Sequence, residues 1–322
     1  MEIFKSDKIY NFMGKRLPFL GLSSLLVIAS IVLLLTKGVN LGIDFAGGTI
    51  VQVKYEQKAP INDIRDTLKK TNYANASISE FGSPEEVVIR ITGSSSDIAN
   101  DIGDEMHEIL KVTGNFEIRR VDIVGPKVGG ELREKGIMAL ALSLIVILAY
   151  VSFRFEWRFA IASILALAHD IIIALGAISL FNVEVNLDIL AAILTILGYS
   201  LNDTIIVFDR IREGVQTSKE SILDKVVNES VSRTLSRTTL TSLTTFFVVA
   251  TLFFFGGEII HGFAFTMLVG VIVGTYSSIF IAASFLVQLK FSISEFRSKE
   301  ADKLKRQKEK DKIRAMYEQG TM

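Results

Sequence analysis

Apolar positions gather into six long runs, at about 17–36, 137–153, 159–181, 187–208, 240–255 and 263–289. Crossing the hydrocarbon core of a bilayer takes roughly 17–25 mostly apolar residues in helical form, so each run reads as a membrane span, the second and fifth being the shortest. Between the first two runs the pattern shortens and alternates. Residues 50–55 are β-branched and strand-like, and Pro60 opens a helical pattern with Ile61, Ile64 and Leu68 on one face. Residues 76–81 and 86–92 alternate across a Gly-Ser-Pro turn signal. Residues 96–110 are helical, with Ser96 as the cap and Ile98, Ile102 and Ile109 on one face, and 116–124 close the series as a strand. The order β-α-β-β-α-β predicts a small ferredoxin-like α+β domain beside an α-helical, six-span membrane part.

The domain division that follows is 1–38 for the N-terminal segment and first span, 39–135 for the outside domain, 136–289 for the remaining spans with a loop at 209–238, and 290–322 for a charged tail. No small-residue cleavage site follows Leu35, so the first run is expected to be a retained anchor. The re-entry segment DIVGPKVGGELREKG, with Gly125, Pro126, Gly129 and Gly130, is expected to turn sharply back into the membrane. In the 209–238 loop, Ile222, Val226 and Leu235 suggest an amphipathic helix, and the tail is expected to be solvated.

Composition adds little to this plan, since 49% hydrophobic residues merely agree with a membrane protein. Charge placement adds orientation. Lys5, Lys8, Lys15 and Arg16 precede the first run, Arg154 and Arg158 sit between the second and third, and Arg210, Arg212, Lys219 and Lys225 follow the fourth. The opposite loops, FNVEVN and GGEIIHG, carry no Lys or Arg, so both termini are expected in the cytoplasm and the ferredoxin-like domain outside. The absence of cysteine excludes disulfides, thiolate metal ligation and thiol catalysis. No phosphate-binding loop, nucleophile–base pair or metal motif is present, which argues against an enzyme.

The chemistry lies in the spans. Asp203, in the fourth run, is the anomaly, because a charge inside a bilayer costs at least about 2.5–3.5 kcal/mol and marks a functional site by default. His169 and Asp170 lie near the middle of the third run. They hold helices together or belong to a polar pathway. Arg237 leads into the fifth run with Thr238, Thr239, Thr241, Ser242, Thr244 and Thr245, a hydroxyl series that suits close helix packing or a hydrated proton path. Gly270, Gly274, Ser277 and Ser278 form a small-residue face for helix packing. His107 stands alone on a charged helix face and reads as solvated.

Five segments, LGIDFAGGT, VGPKVG, ALAHD, GYSLNDTIIVFDRIRE and RTLSRTTLTSLTT, stand in order through this layout. In these motifs and in its span plan the chain resembles the SecF subunits of the bacterial SecDF translocation accessory complex, of the resistance–nodulation–division superfamily. The resemblance implies a subunit in the bacterial inner membrane that uses the proton-motive force to promote protein export through the SecYEG channel. It implies no cofactor and no nucleic acid. The implied partners are SecD, SecYEG, YajC and YidC, unfolded secreted clients and the lipid bilayer. Carried over by motif, the essential carboxylate falls on Asp203 beside Asn202, and the essential arginine on Arg237, followed by Thr238 and Thr241. Gly42, Asp44, Gly47 and Gly48 fall at the hinge of the outside domain.

An ionised Asp203 next to Arg237 would form a pair that protonation loosens, and a direct contact between them is expected. Two further readings stay open: a membrane scaffold that carries no protons, and an exporter of small molecules or lipids. The exporter needs a larger outside domain than the insert of about 100 residues.

Overall fold

A computed structural model describes residues 8–92 and 102–318. Helix α1 (Arg16–Thr36) leads through a two-residue strand, β1 (Asn40–Leu41), and a single helical turn, α2 (Ile43–Ala46), into the outside domain. That domain runs β2 (Gly48–Tyr55), α3 (Ile61–Leu68), β3 (Ser77–Phe81), β4 (Ser83–Thr92), α4 (Ile102–Leu110) and β5 (Phe116–Val124). The sheet order is β3-β4-β2-β5 and every neighbouring pair is antiparallel, which is the ferredoxin-like topology. The core of this domain is Val51 and Val53 from β2, Val87 and Ile89 from β4, Ile64 and Leu68 from α3, and Ile102, Met106 and Leu110 from α4. On α4 the buried face therefore steps through Ile102, Met106 and Leu110, while the predicted Ile109 is only partly covered; Ser96 and Ile98 lie outside the described residues. His107 is exposed, its ring 5.2 Å from that of Phe116.

Met106 is fully enclosed between the sheet and α3. Met106→Ala is expected to destabilise the outside domain by about 2–5 kcal/mol, as large-to-small core changes do. Faster amide exchange in β2 and β4 of the full chain, with the membrane helices unaffected, is the expected readout.

The membrane part consists of α1, α5 (Pro126–Arg154), α6 (Trp157–Leu180), α7 (Leu187–Thr217), α8 (Leu223–Phe255) and a last span in which α9 (Gly257–Ser277) passes through a π-helical stretch at Ser278–Ala282 into α10 (Ala283–Gln288). Among the described residues, six helices are long and apolar enough to cross a membrane. Three of them extend well past their apolar runs. No sharp re-entry occurs after the outside domain, because α5 starts at Pro126, with only Gly125 between it and the end of β5, and runs unbroken through Gly129, Gly130 and residue 135. Proline at the first helical position satisfies the helix start, and the polar residues that follow are compatible with helix in water. The loop expected at 209–238 is two helix ends joined at 218–222, with no separate amphipathic helix. No proline occurs after Pro126 to stop either helix. Arg297 closes that corner, donating to the carbonyls of Val215 (2.7 Å), Ser218 (2.6 Å) and Glu220 (3.1 Å).

The tail is α11 (Ile293–Glu318), whose first residues are not solvated. Phe291, Ile293 and Phe296 are buried in the same cluster as Phe155, Phe159 and Phe208, with Phe159 and Phe291 5.1 Å apart. At this end too Arg16 pairs with Asp224 at 3.0 Å and Arg158 with Glu295 at 3.7 Å. The basic segments thus share one end of the bundle and the ferredoxin-like domain occupies the other. Inside the bundle the glycine seam of α9 lies on α7: a Cβ at Gly270 would run into Ile196, and one at Gly274 would stand 3.1 Å from Ser200 Cβ.

Candidate functional site

Three helices deliver a buried polar cluster to mid-span. Asp170 of α6 is fully buried and accepts three hydrogen bonds, from Ser200 Oγ of α7 at 2.5 Å, from Ser277 Oγ of α9 at 2.8 Å, and from the neighbouring His169 Nδ1 at 2.8 Å. Three partners on one carboxylate hold it in place. His169 Nε2 is buried with no hydrogen-bond partner. The next residue on α9, Tyr276, donates to the Phe19 carbonyl at 2.7 Å and pairs with Ser23 Oγ at 2.9 Å, so α9 holds Asp170 with one residue and α1 with its neighbour. The π-helical stretch begins immediately after Ser277, and such irregularities collect at functional positions in helices.

One turn further along α7 stands Asp203, 1% exposed. Its Oδ2 accepts from Ser242 Oγ of α8 at 3.2 Å, and its Oδ1 has no hydrogen-bond partner. Two adjacent hydroxyls, Thr204 Oγ1 and Thr238 Oγ1, are likewise buried without one. A buried carboxylate left half-satisfied is costly, so the arrangement is poised to gain a proton, a water or a partner group. Half of the hydroxyl series turns back on its own helix: Thr241, Thr244 and Thr245 each bond to a carbonyl of α8.

The expected contact between Asp203 and Arg237 is not formed. Arg237 is exposed on the outer side of α8, with Thr241 and Thr244 one and two turns on, and Asn202 is exposed on the outer side of α7. Helical spacing explains the split, because Ser242 and Thr238 share the face of α8 that meets α7 whereas Arg237 and Thr241 lie about 100° away from it. The result is an outward polar stripe on two spanning helices. The sequence pattern placed Ser242 in the hydroxyl series and Ser277 in a packing face but pointed to neither, nor to Ser200, as a carboxylate partner, since small hydroxylated residues in spans are ordinary helix-packing residues.

At the outer end, Gly42, Asp44, Gly47 and Gly48 lie together. Gly42 N donates to Val185 O at 2.8 Å and Asp44 Oδ2 accepts from Leu187 N at 3.0 Å, which ties α2 to the start of α7. Gly47, at φ +76°, backs onto Pro126, and Gly129 of α5 backs onto Gly47 and Phe45 in turn.

A bundle with ionisable groups buried at mid-depth and a small domain seated on its outer end defines a polytopic membrane protein of the transport type. Residues 105–292 match the family described as protein export membrane protein SecD/SecF, C-terminal, and residues 32–59, which include Gly42, Gly47 and Gly48, match the SecD/SecF GG motif. The protein translocase subunit SecF of Helicobacter pylori strain J99 is 48% identical over 321 residues, covering 99% of both chains. That of Escherichia coli O157:H7 is 40% identical over 285 residues, covering 88% of each. The crystal structure of SecDF, a translocon-associated membrane protein from Thermus thermophilus, superposes with a TM-score of 0.79 at 36% identity. The match covers 89% of this chain and 40% of that one. The chain belongs to the SecF family.

Proposed function

We propose that this chain is the SecF half of a proton-driven SecDF-type machine that promotes protein export through SecYEG, with Asp203 as the group that takes up and releases the proton. The observation that carries the reading is the carboxylate of Asp203, buried in a spanning helix with one oxygen unpartnered and two unpartnered hydroxyls beside it. A single proton moving through 100 mV supplies about 2.3 kcal/mol, and it performs work only if its binding changes contacts in one conformation more than in another. A half-satisfied carboxylate between α7 and α8 meets that condition, since adding a proton turns its unpartnered oxygen from an acceptor into a donor and changes which contacts it can make.

The outward stripe of Asn202, Arg237, Thr241 and Thr244 supports a second subunit. Polar groups on a spanning helix face protein or water rather than lipid, and a SecD partner laid against α7 and α8 would cover them and bring Arg237 into the shared pathway. Asp170 and His169 extend the polar route through Ser200. YajC, YidC and unfolded clients complete the proposed assembly. The clustering of basic residues at the end opposite the outside domain supports both termini in the cytoplasm of a bacterial inner membrane.

The test is reconstitution in vesicles with the channel and a secretory precursor stalled midway. Imposing a potential should speed completion only when this chain and its SecD partner are both present. Equal rates with and without potential in the complete system would refute proton-driven export and leave a scaffold role.

A further inference from the structure

The outside domain meets the membrane part along a seam where α2 packs on α5 and β3 on α9, and at one short strand pair. Asn40 and Leu41 pair in parallel with Glu184 and Val185 of the turn between α6 and α7, and Arg90 of β4 places Nε 3.8 Å from Glu184 Oε2. The fit is close: a Cβ on Gly42 would stand 2.8 Å from Glu184 Oε1. A cleft of about 550 Å³ opens beside the pair, with Asp188 of α7 and His261 of α9 on its walls. Around Glu184 stand Arg90 from β4 and Asp44 from α2, with Asp188 from α7 and His261 from α9 lining the cleft beside it. Arg90 is the ion-pair partner of Glu184, and two further carboxylates, Asp44 and Asp188, share this corner. Seating the domain strips water from Glu184 and leaves the local negative charge in excess.

We propose that Glu184 is a proton-binding residue of this seam, taking up a proton as the outside domain seats on the turn between α6 and α7 and releasing it as the domain lifts. Like charges gathered in a partly closed space favour the neutral form of one of them. Burial pushes the Glu184 carboxyl up, outweighing the opposing attraction of Arg90, and Asp44 pushes in the same direction. The sign follows from linkage. A carboxyl raised in the seated state holds more protons there than when freed into water, so falling pH favours seating through the window between its ordinary and raised values, and rising pH favours lifting. Proton uptake at this position is independent of Asp203, which lies in the middle of α7, and is measurable without a potential.

The chain contains no cysteine, so Glu80→Cys on exposed β3 and Ile259→Cys on exposed α9 place two unique nitroxide labels across the seam of the full chain with its SecD partner in lipid nanodiscs. Dipolar broadening reports the seated fraction as pH is varied with no potential applied. The expected result is a seated-to-lifted ratio that rises by up to about tenfold per pH unit of acidification, the limit for one proton. Glu184→Gln, which mimics the protonated form, should stay seated with a flat profile. Glu184→Asp should keep a pH response with a displaced midpoint, and His261→Gln should leave the response unchanged. A wild-type profile that is flat, or a pH response that survives in Glu184→Gln or vanishes in His261→Gln, would overturn the proposal. Export driven by a potential can fail or persist in the same variants without altering this readout.

Discussion

The variant Asp203→Asn should assemble normally with its partner and lose potential-driven export altogether. The amide keeps the size of the carboxyl and can still accept from Ser242 Oγ, now 3.2 Å from Oδ2, so helix packing between α7 and α8 is preserved. It cannot bind and release a proton. At 100 mV one coupled proton biases a conformational equilibrium by about 2.3 kcal/mol, roughly fifty-fold, and that whole factor should vanish. Asp203→Glu retains a titrating group one methylene longer and should recover part of the stimulation if Thr204 and Thr238 can be reached. Ser242→Ala removes the one hydrogen bond Asp203 accepts and should change the pH dependence of export more than its maximum rate. Undiminished stimulation by the potential in a stably assembled Asp203→Asn complex would favour a scaffold, in which a static contact survives as an amide hydrogen bond.

A large structural effect is expected at Gly47. Its φ of +76° with ψ of +157° belongs to a region that essentially only glycine occupies, and forcing a side chain there costs of order 1–3 kcal/mol in backbone strain alone. A Cβ would also stand 2.8 Å from Pro126 Cα, and backbone at the start of a helix cannot give way as a flexible side chain would. Gly47→Ala should therefore cost about 3–5 kcal/mol, in the exceptional range for one methyl group. The fraction of full chain that stays monodisperse after heating in detergent is the readout. Two neighbours on α5 supply the controls. Gly129→Ala should also be harmful, because its Cβ would lie 2.9 Å from Gly47 N, whereas Gly130 has open space around it. Gly130→Ala should be neutral or stabilising by up to about 1 kcal/mol, the helix-propensity difference. Equal tolerance at 47, 129 and 130 would mean that α2 does not pack against α5 as described.

These glycines show where reading along the chain stops. Their clustering near 42–48 and 125–130 was visible as composition, and a sharp re-entry was the natural expectation at the second cluster. In the fold, Pro126 starts a straight helix, Gly129 is a contact point and Gly130 is not, a distinction that depends on what lies across the gap rather than on neighbours in sequence. Arg237 carries the same lesson, since proximity to Asp203 was expected from their similar depth. Depth is a one-dimensional quantity, and the side of the helix that faces α7 is not.

What the sequence alone determined is everything governed by periodicity and local cost. Six spans follow from the length of uncharged runs against the thickness of a bilayer, the β-α-β-β-α-β order from periods of 2 and 3.6, and Asp203 as the residue to explain from the expense of a carboxylate in an apolar segment. Tertiary structure alone decided which hydroxyls reach the carboxylates, with Ser200 and Ser277 on Asp170 and Ser242 on Asp203. It also set how far α5, α7 and α8 continue beyond the apolar runs, and which turn the outside domain rests on. The physical reason is common to all of these. Hydropathy and helical period are summed over neighbours in the chain, while a buried hydrogen bond or a missing Cβ is decided by atoms dozens or hundreds of residues away, brought within about 3 Å only when the helices have packed.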